Sequence, residues 1–117
     1  MTKEEFRNYC LRKKAVVESF PFDEATVVYK ISGKIFALAD AVSFKQISLK
    51  CDPDRAIELR SKYPSIIPGY HLNKRHWNTV LIDGSIPDDV IYELIDHSYE
   101  MVWSGLNRAE KQNVDDW

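Results

Sequence analysis

Six side chains with chemical capacity crowd into residues 71–77: His71, Asn73, Lys74, Arg75, His76 and Trp77. Three kinds of chemistry can be asked of them. Metal binding by two histidines needs both rings on one helical face, or a partner pair of cysteines. His71 and His76 stand five residues apart and have neither. Nucleophilic catalysis needs a Ser or Cys held against a His and an orienting acid, and no motif here brings such a trio together. A phosphate loop needs clustered glycines, and the four in this chain are scattered. The expectation is therefore no catalytic residue, no metal, no cofactor and no enzymatic activity. What remains is contact with phosphate. Arg75 offers a planar fork of donors and Lys74 a flexible point charge. The other members of the cluster then read as scaffold. Asn73 caps a turn running from Lys74 to Trp77. His71 hydrogen-bonds across that turn. Trp77 buries its ring against a sheet and sends its indole N–H to a backbone carbonyl.

Other cations could join the same surface. Lys45 and Lys50 bracket a strand-like run, and Lys30 and Lys34 flank the tip of a hairpin, where a basic wing would touch a nucleic-acid backbone. Net charge is −2, but it is unevenly spread. Residues 45–76 carry seven basic and three acidic groups, while residues 77–117 carry two basic and nine acidic ones. Such a lopsided molecule orients an anionic partner onto one face. The acidic end has its own pattern. Asp89, Glu93, Asp96 and Glu100 follow at intervals of four, three and four, which puts them on one face of a helix. That row reads as a solvated face, or as a weak site for a hard cation or a basic partner.

Elements must hold these groups in place. Thr2 and Glu5 form a capping-box pattern, and Phe6, Tyr9 and Cys10 repeat at helical spacing, so a helix is predicted over 3–13. Residues 26–31 and 35–40 are β-rich around Ser32-Gly33, the signature of a hairpin. In 45–51, Ile47, Leu49 and Cys51 alternate with Gln46, Ser48 and Lys50, which predicts a strand with one solvated side. Asp52-Pro53 opens a second helix that Pro64 stops. A short strand around Ile66 and Ile67 meets Pro68-Gly69, and 78–83 reads as another strand. The last helix starts at Pro87 and carries a wide apolar stripe from Val90 to Val102, with Gly105 as a candidate left-handed cap. Residues 107–117 read as a loosely ordered polar tail.

The order α-β-β-β-α-β-β-α predicts an α+β fold, an antiparallel β-sheet with helices packed on it. At 117 residues the chain has the size of one domain with its own core, placed here at residues 1–106. Cys10 and Cys51 form no metal or redox spacing and are expected as buried free thiols. No apolar run is long enough to span a bilayer, and the charged N-terminal residues lack the apolar core of a secretory signal. A cytoplasmic protein without membrane contact is expected.

Taken together, "FALAD", "SLKCDPDRAIELR" and "PGYHLNKRHWNTVLIDGSIPDD", followed by a long amphipathic helix, resemble the MmcQ/YjbR family of small bacterial proteins. The similarity extends from about residue 2 to residue 106 and is most specific at 71–80 and 83–87. It implies a CyaY-like fold with a double-wing DNA-binding arrangement. Its matched motif positions are His71, Asn73, Lys74, His76, Trp77 and Asn78, while Arg75 occupies a variable position. The functional expectation is a DNA-binding protein that meets the phosphate backbone through Lys74, Arg75, Lys45, Lys50, Lys30 and Lys34. A small protein-interaction adaptor is the alternative.

Overall fold

A computed structural model describes residues 1–69 and 72–117. His71, one of the motif histidines, therefore lies outside the described residues.

The N-terminal helix α1 (Lys3–Leu11) starts where the sequence places it, with Thr2 and Glu5 capping each other. Phe6 and Cys10 are its buried positions, one helical turn apart. A short strand, β1 (Val17–Ser19), follows; it has no alternating apolar pattern of its own, and it forms by pairing with β2 (Thr26–Ile31). β2 turns into β3 (Lys34–Asp40) through Ser32 (φ 48°) and Gly33 (φ 75°). Two left-handed residues in succession match the twist of a two-residue hairpin. β4 (Gln46–Lys50) leads into α2 (Pro53–Lys62), whose N-cap Asp52 accepts the Arg55 N–H. Then come β5 (Ile66–Pro68), β6 (Trp77–Leu81), α3 (Asp88–Ser104) and α4 (Arg108–Asp115).

Among the described residues the strands form one antiparallel sheet in the order β1-β2-β3-β4-β6-β5. The α+β class holds, and the described residues form one strand and one helix more than the sequence pattern shows. The extra helix is α4. Residues 107–117, expected as a loose tail, are organised by an Asn107/Glu110 capping box and by Val114, which is 2% exposed in the core. Gly105 also departs from expectation: its φ of −83° is right-handed, and the chain continues into α4 instead of reversing through a left-handed cap.

All four helices lie on the same side of the sheet. Cross-strand register puts Val27, Tyr29, Ala37, Ala39, Ile47 and Leu49 on one face. There Phe6 of α1 meets the edge of Tyr29, and Phe36 meets the edge of Tyr99 from α3. Asn78, opposite Leu49, donates from its amide to the Ala56 carbonyl of α2. Val114 of α4 joins the same cluster. Ser98 pins α3 to the sheet, donating to the Phe36 carbonyl and accepting the Lys50 N–H. The hydroxyl thus bridges β3 and β4 where a bulge near Lys30 has shifted the register.

Candidate functional site

The side of the sheet away from the helices is the candidate site. Side chains alternate along each strand, so Thr26, Lys30, Leu38, Gln46, Ser48 and Lys50 face this side. The alternation read for β4 is seen, but the side expected to be solvated is only partly so: Gln46 is exposed, Lys50 is half-buried, and Ser48 is buried against the Thr79 hydroxyl at 2.9 Å.

Two loops rise over this face and leave a groove of about 680 Å³ between them. Phe22 stands on one wall and Leu72 on the other, with Leu38, Gln46, Ser48 and Lys45 below and at the rim. The Phe22 loop is held by Asp23, whose carboxylate accepts the N–H groups of Ala25 and Thr26. Phe22 itself is 66% exposed. The opposite loop depends on Gly69, which donates to the Trp77 carbonyl. A Cβ at Gly69 would come within 2.8 Å of the Trp77 Cβ, so only glycine lets the strands close here.

Among the described residues, Asp40 is the one carboxylate carried by the strands on this face. It accepts the hydroxyl of Ser43 at 2.6 Å and the backbone N–H groups of Val42, Ser43 and Lys45. These donors pull its pKa down to about 2, the Ser43 hydroxyl contributing most. Its lone pairs are therefore taken up by the 41–45 turn, which it fixes just ahead of Lys45, while the carboxylate stays ionised. Glu24, beside Phe22 in the loop, is exposed.

The cations named from the sequence are distributed unevenly. Lys30 and Lys50 lie on the helix-free face and are half-buried. They stand two strands apart, about 10 Å between backbones. Lys45 precedes β4 and Lys50 ends it, so the pair spans about 17 Å along the strand. Lys74 and Arg75 lie beyond the Lys50 end, on an exposed turn. Cys51 donates its N–H to the His76 carbonyl, and Arg60 of α2 donates to the Lys74 carbonyl at 3.2 Å. The result is a track along β4 that continues onto the turn. Lys34 does not belong to it. It pairs with Ile31, which faces the helices, and its ammonium lies 3.9 Å from Glu110 of α4. Lys30 and Lys34 thus point to opposite sides of the sheet and do not form one basic tip.

The motif residues behave mainly as scaffold. The Asn73 side chain accepts the Arg75 N–H at 2.9 Å, and its carbonyl accepts the His76 N–H. The turn is an Asx turn and not a capped helical turn, because Trp77 already begins β6. Trp77 is half-buried opposite Lys50, and its expected indole hydrogen bond is absent among the described residues. The D-G-S portion is a second knot. Asp83 accepts the hydroxyls of Ser65 and Ser85, both at 2.6 Å, and these bonds hold its pKa at about 2. The acidic row on α3 is partly spent as well, since Asp96 takes the Lys13 ammonium at 2.6 Å and the Tyr9 hydroxyl at 2.7 Å. No cluster suited to a metal occurs among the described residues. Cys10 and Cys51 are free and buried, and burial pushes both thiols upward in pKa, away from reactivity. No helix among the described residues is long and apolar enough to cross a membrane.

The groove's walls escape a sequence reading. Phe22 and Leu72 sit in loops without periodicity, and only their place beside Pro21 and Asn73 hints at ordered turns. Arg60 reads as an ordinary helix-surface residue until its contact with Lys74 is seen.

Sequence and structure comparisons agree with this architecture. The YjbR family model matches residues 11–101. The chain belongs to the YjbR family. It is 39% identical to YjbR of Escherichia coli K12 over 113 residues, covering 96% of each chain. YbdF of Escherichia coli O157:H7 is 38% identical over 96 residues, which cover 81% of this chain and 79% of that one. A crystal structure of the Deinococcus radiodurans protein DR2400 superposes with a TM-score of 0.90 at 40% identity, covering 97% of this chain and 88% of the other. A Pseudomonas syringae protein gives 0.72 at 31% identity, covering 86% of this chain and 98% of its own. The names of these YjbR relatives state no activity, so function has to be argued from the site.

Proposed function

We propose that this YjbR-family chain is a non-enzymatic DNA-binding module that meets the phosphate backbone with the helix-free face of its sheet. Lys30, Lys45 and Lys50 supply contacts on that face, and Lys74 and Arg75 supply them at its margin. One observation carries the reading: Lys30, Lys45 and Lys50 lie around the helix-free face, with Lys74 and Arg75 beyond the Lys50 end, and none of the five is held in an ion pair among the described residues. The negative charge lies largely elsewhere. α3 holds Asp88, Asp89, Glu93, Asp96 and Glu100 with no lysine or arginine, and it packs on the opposite side. Contacts of this kind position a nucleic acid without reading its sequence.

Titration of a labelled duplex at several salt concentrations tests the proposal. Five phosphate contacts give a slope of log affinity against log salt of about −4.5. Lys45→Glu with Lys50→Glu is expected to flatten that slope and to weaken binding at low salt. No binding at low salt, or binding unchanged in both this double variant and Lys74→Glu/Arg75→Glu, overturns the proposal.

The alternative of a protein-interaction adaptor has one observation in its favour: Phe20 and Phe22 are 51% and 66% exposed on the same loop. A protein partner retained after nuclease treatment, and lost in Phe20→Ser/Phe22→Ser, would support it over DNA.

A further inference from the structure

The groove between the two loops is badly matched to phosphate. Its apolar lining includes Phe22, Ile35, Leu38 and Leu72, and its polar groups are Thr26, Gln46 and Ser48, with the Asp40 carboxylate inside and Lys45 at the rim. Phosphate oxygens gain nothing from apolar walls. A nucleobase gains from both parts, because its faces stack on aromatic and aliphatic side chains while its edge takes hydrogen bonds. In a duplex, base faces are occupied by neighbouring bases and cannot enter a concavity. Resting on the phosphate-contact reading above, we propose that this groove receives an unpaired base of a single-stranded nucleic acid, with Phe22 as the stacking partner and Gln46 facing the base edge.

Four features support this occupant. The groove volume of about 680 Å³ lies within the range of sites that enclose a small planar ligand. The chain just after Phe22 is held by Asp23, which accepts the Ala25 and Thr26 N–H groups, so less backbone remains to be ordered on binding. Lys45 lies at the groove rim and Lys50 ends the strand that floors it, so cations lie where the flanking backbone of an inserted base would run. Asp40, which also lines the groove, stays ionised, so its charge disfavours a phosphate inside the groove and leaves the backbone to the cations at the rim.

The test compares a labelled oligodeoxythymidylate with a labelled duplex of the same length at low salt, using the wild-type chain, Phe22→Ala, Phe22→Trp and Val42→Ala. Val42 is exposed and outside the groove, and it serves as the control for loss of surface apolar area. The single strand is expected to bind more tightly than the duplex. Phe22→Ala is expected to weaken single-strand binding about ten-fold and to leave duplex binding unchanged. Phe22→Trp should retain or strengthen it, and Val42→Ala should change nothing. Equal or tighter duplex binding that is salt-sensitive and indifferent to Phe22 overturns the base-binding inference while leaving the phosphate-contact reading intact. Tighter single-strand binding that ignores Phe22 overturns it too, because the base then lies elsewhere. Absence of binding to either probe overturns both.

Discussion

At the scale of single residues, the polar groups that look most chemical in the sequence are mostly builders. Asn73, Asp83 and Asp40 each tie down a turn through their own side-chain oxygens. Such residues were legible in kind, because Asn and Asp beside Gly, Ser and Lys announce turns. The choice between holding a turn and binding a ligand was not legible, because both use the same lone pairs. His97 was not singled out by the sequence at all. Its Nε2 accepts the N–H of Asp52, the cap of α2, at 3.1 Å. Burial, and then the nearby Arg55 charge, push its pKa below the ordinary 6.5, with Asp52 opposing. The unfolded chain therefore takes up a proton near pH 6.5 that the folded chain refuses. Stability is complete above that pH and declines as the pH drops towards the lowered folded value. Asp40 and Asp83, both at about 2, remain ionised throughout this window and act only at lower pH. Urea midpoints collected between pH 7.5 and about 5 are expected to fall with acidification. His97→Gln should remove most of that slope; a slope that persists would assign the effect to another group.

At the scale of elements, the strongly periodic segments were readable and the ones formed by partners were not. α2 and α3 announce themselves by Asp52-Pro53 and by the stripe of Ile91, Leu94, Ile95 and Val102. β1 has three residues and no pattern, and exists because Thr26–Ile31 offers it an edge. α4 has a mostly polar sequence with a single deeply buried anchor, Val114, so composition alone reads it as a tail. The two hairpin lysines show the limit of spacing arguments. Four residues apart around a turn looks like one tip, but the pairing of Lys30 with Ile35 and Lys34 with Ile31 sends them to different faces. The junction of β5 and β6 supplies the test at this scale. Gly69→Ala would force a methyl to 2.8 Å from the Trp77 Cβ and 3.0 Å from its carbonyl oxygen, and neither atom belongs to a flexible chain end. A loss of about 1–3 kcal/mol is expected from this overpacking, read as a lowered thermal midpoint. An unchanged midpoint would mean that the strands open at no cost and that the turn carrying Lys74 is not rigidly placed.

At the scale of the whole molecule, the sheet separates two unlike surfaces. One side is covered by helices and collects the acidic residues of α3. Among the described residues, the other carries no helix, buries Val28, Ser48 and Thr79 at its centre, bears lysines without ion pairs and holds a groove with an aromatic wall. The sequence displays the charge asymmetry as a contrast between segments, and folding turns part of it into a contrast between faces. The extended cationic track along β4 replaces the compact patch that nearness in sequence suggests. Amide chemical-shift mapping of the labelled protein, titrated at low salt with a short oligodeoxythymidylate, tests this two-faced account most directly. Perturbations are expected at Thr26, Leu38, Gln46, Ser48 and Lys50 and along the 20–25 loop, with α3 and α4 silent. Shifts concentrated on those helices, or a spectrum that does not change, would contradict it.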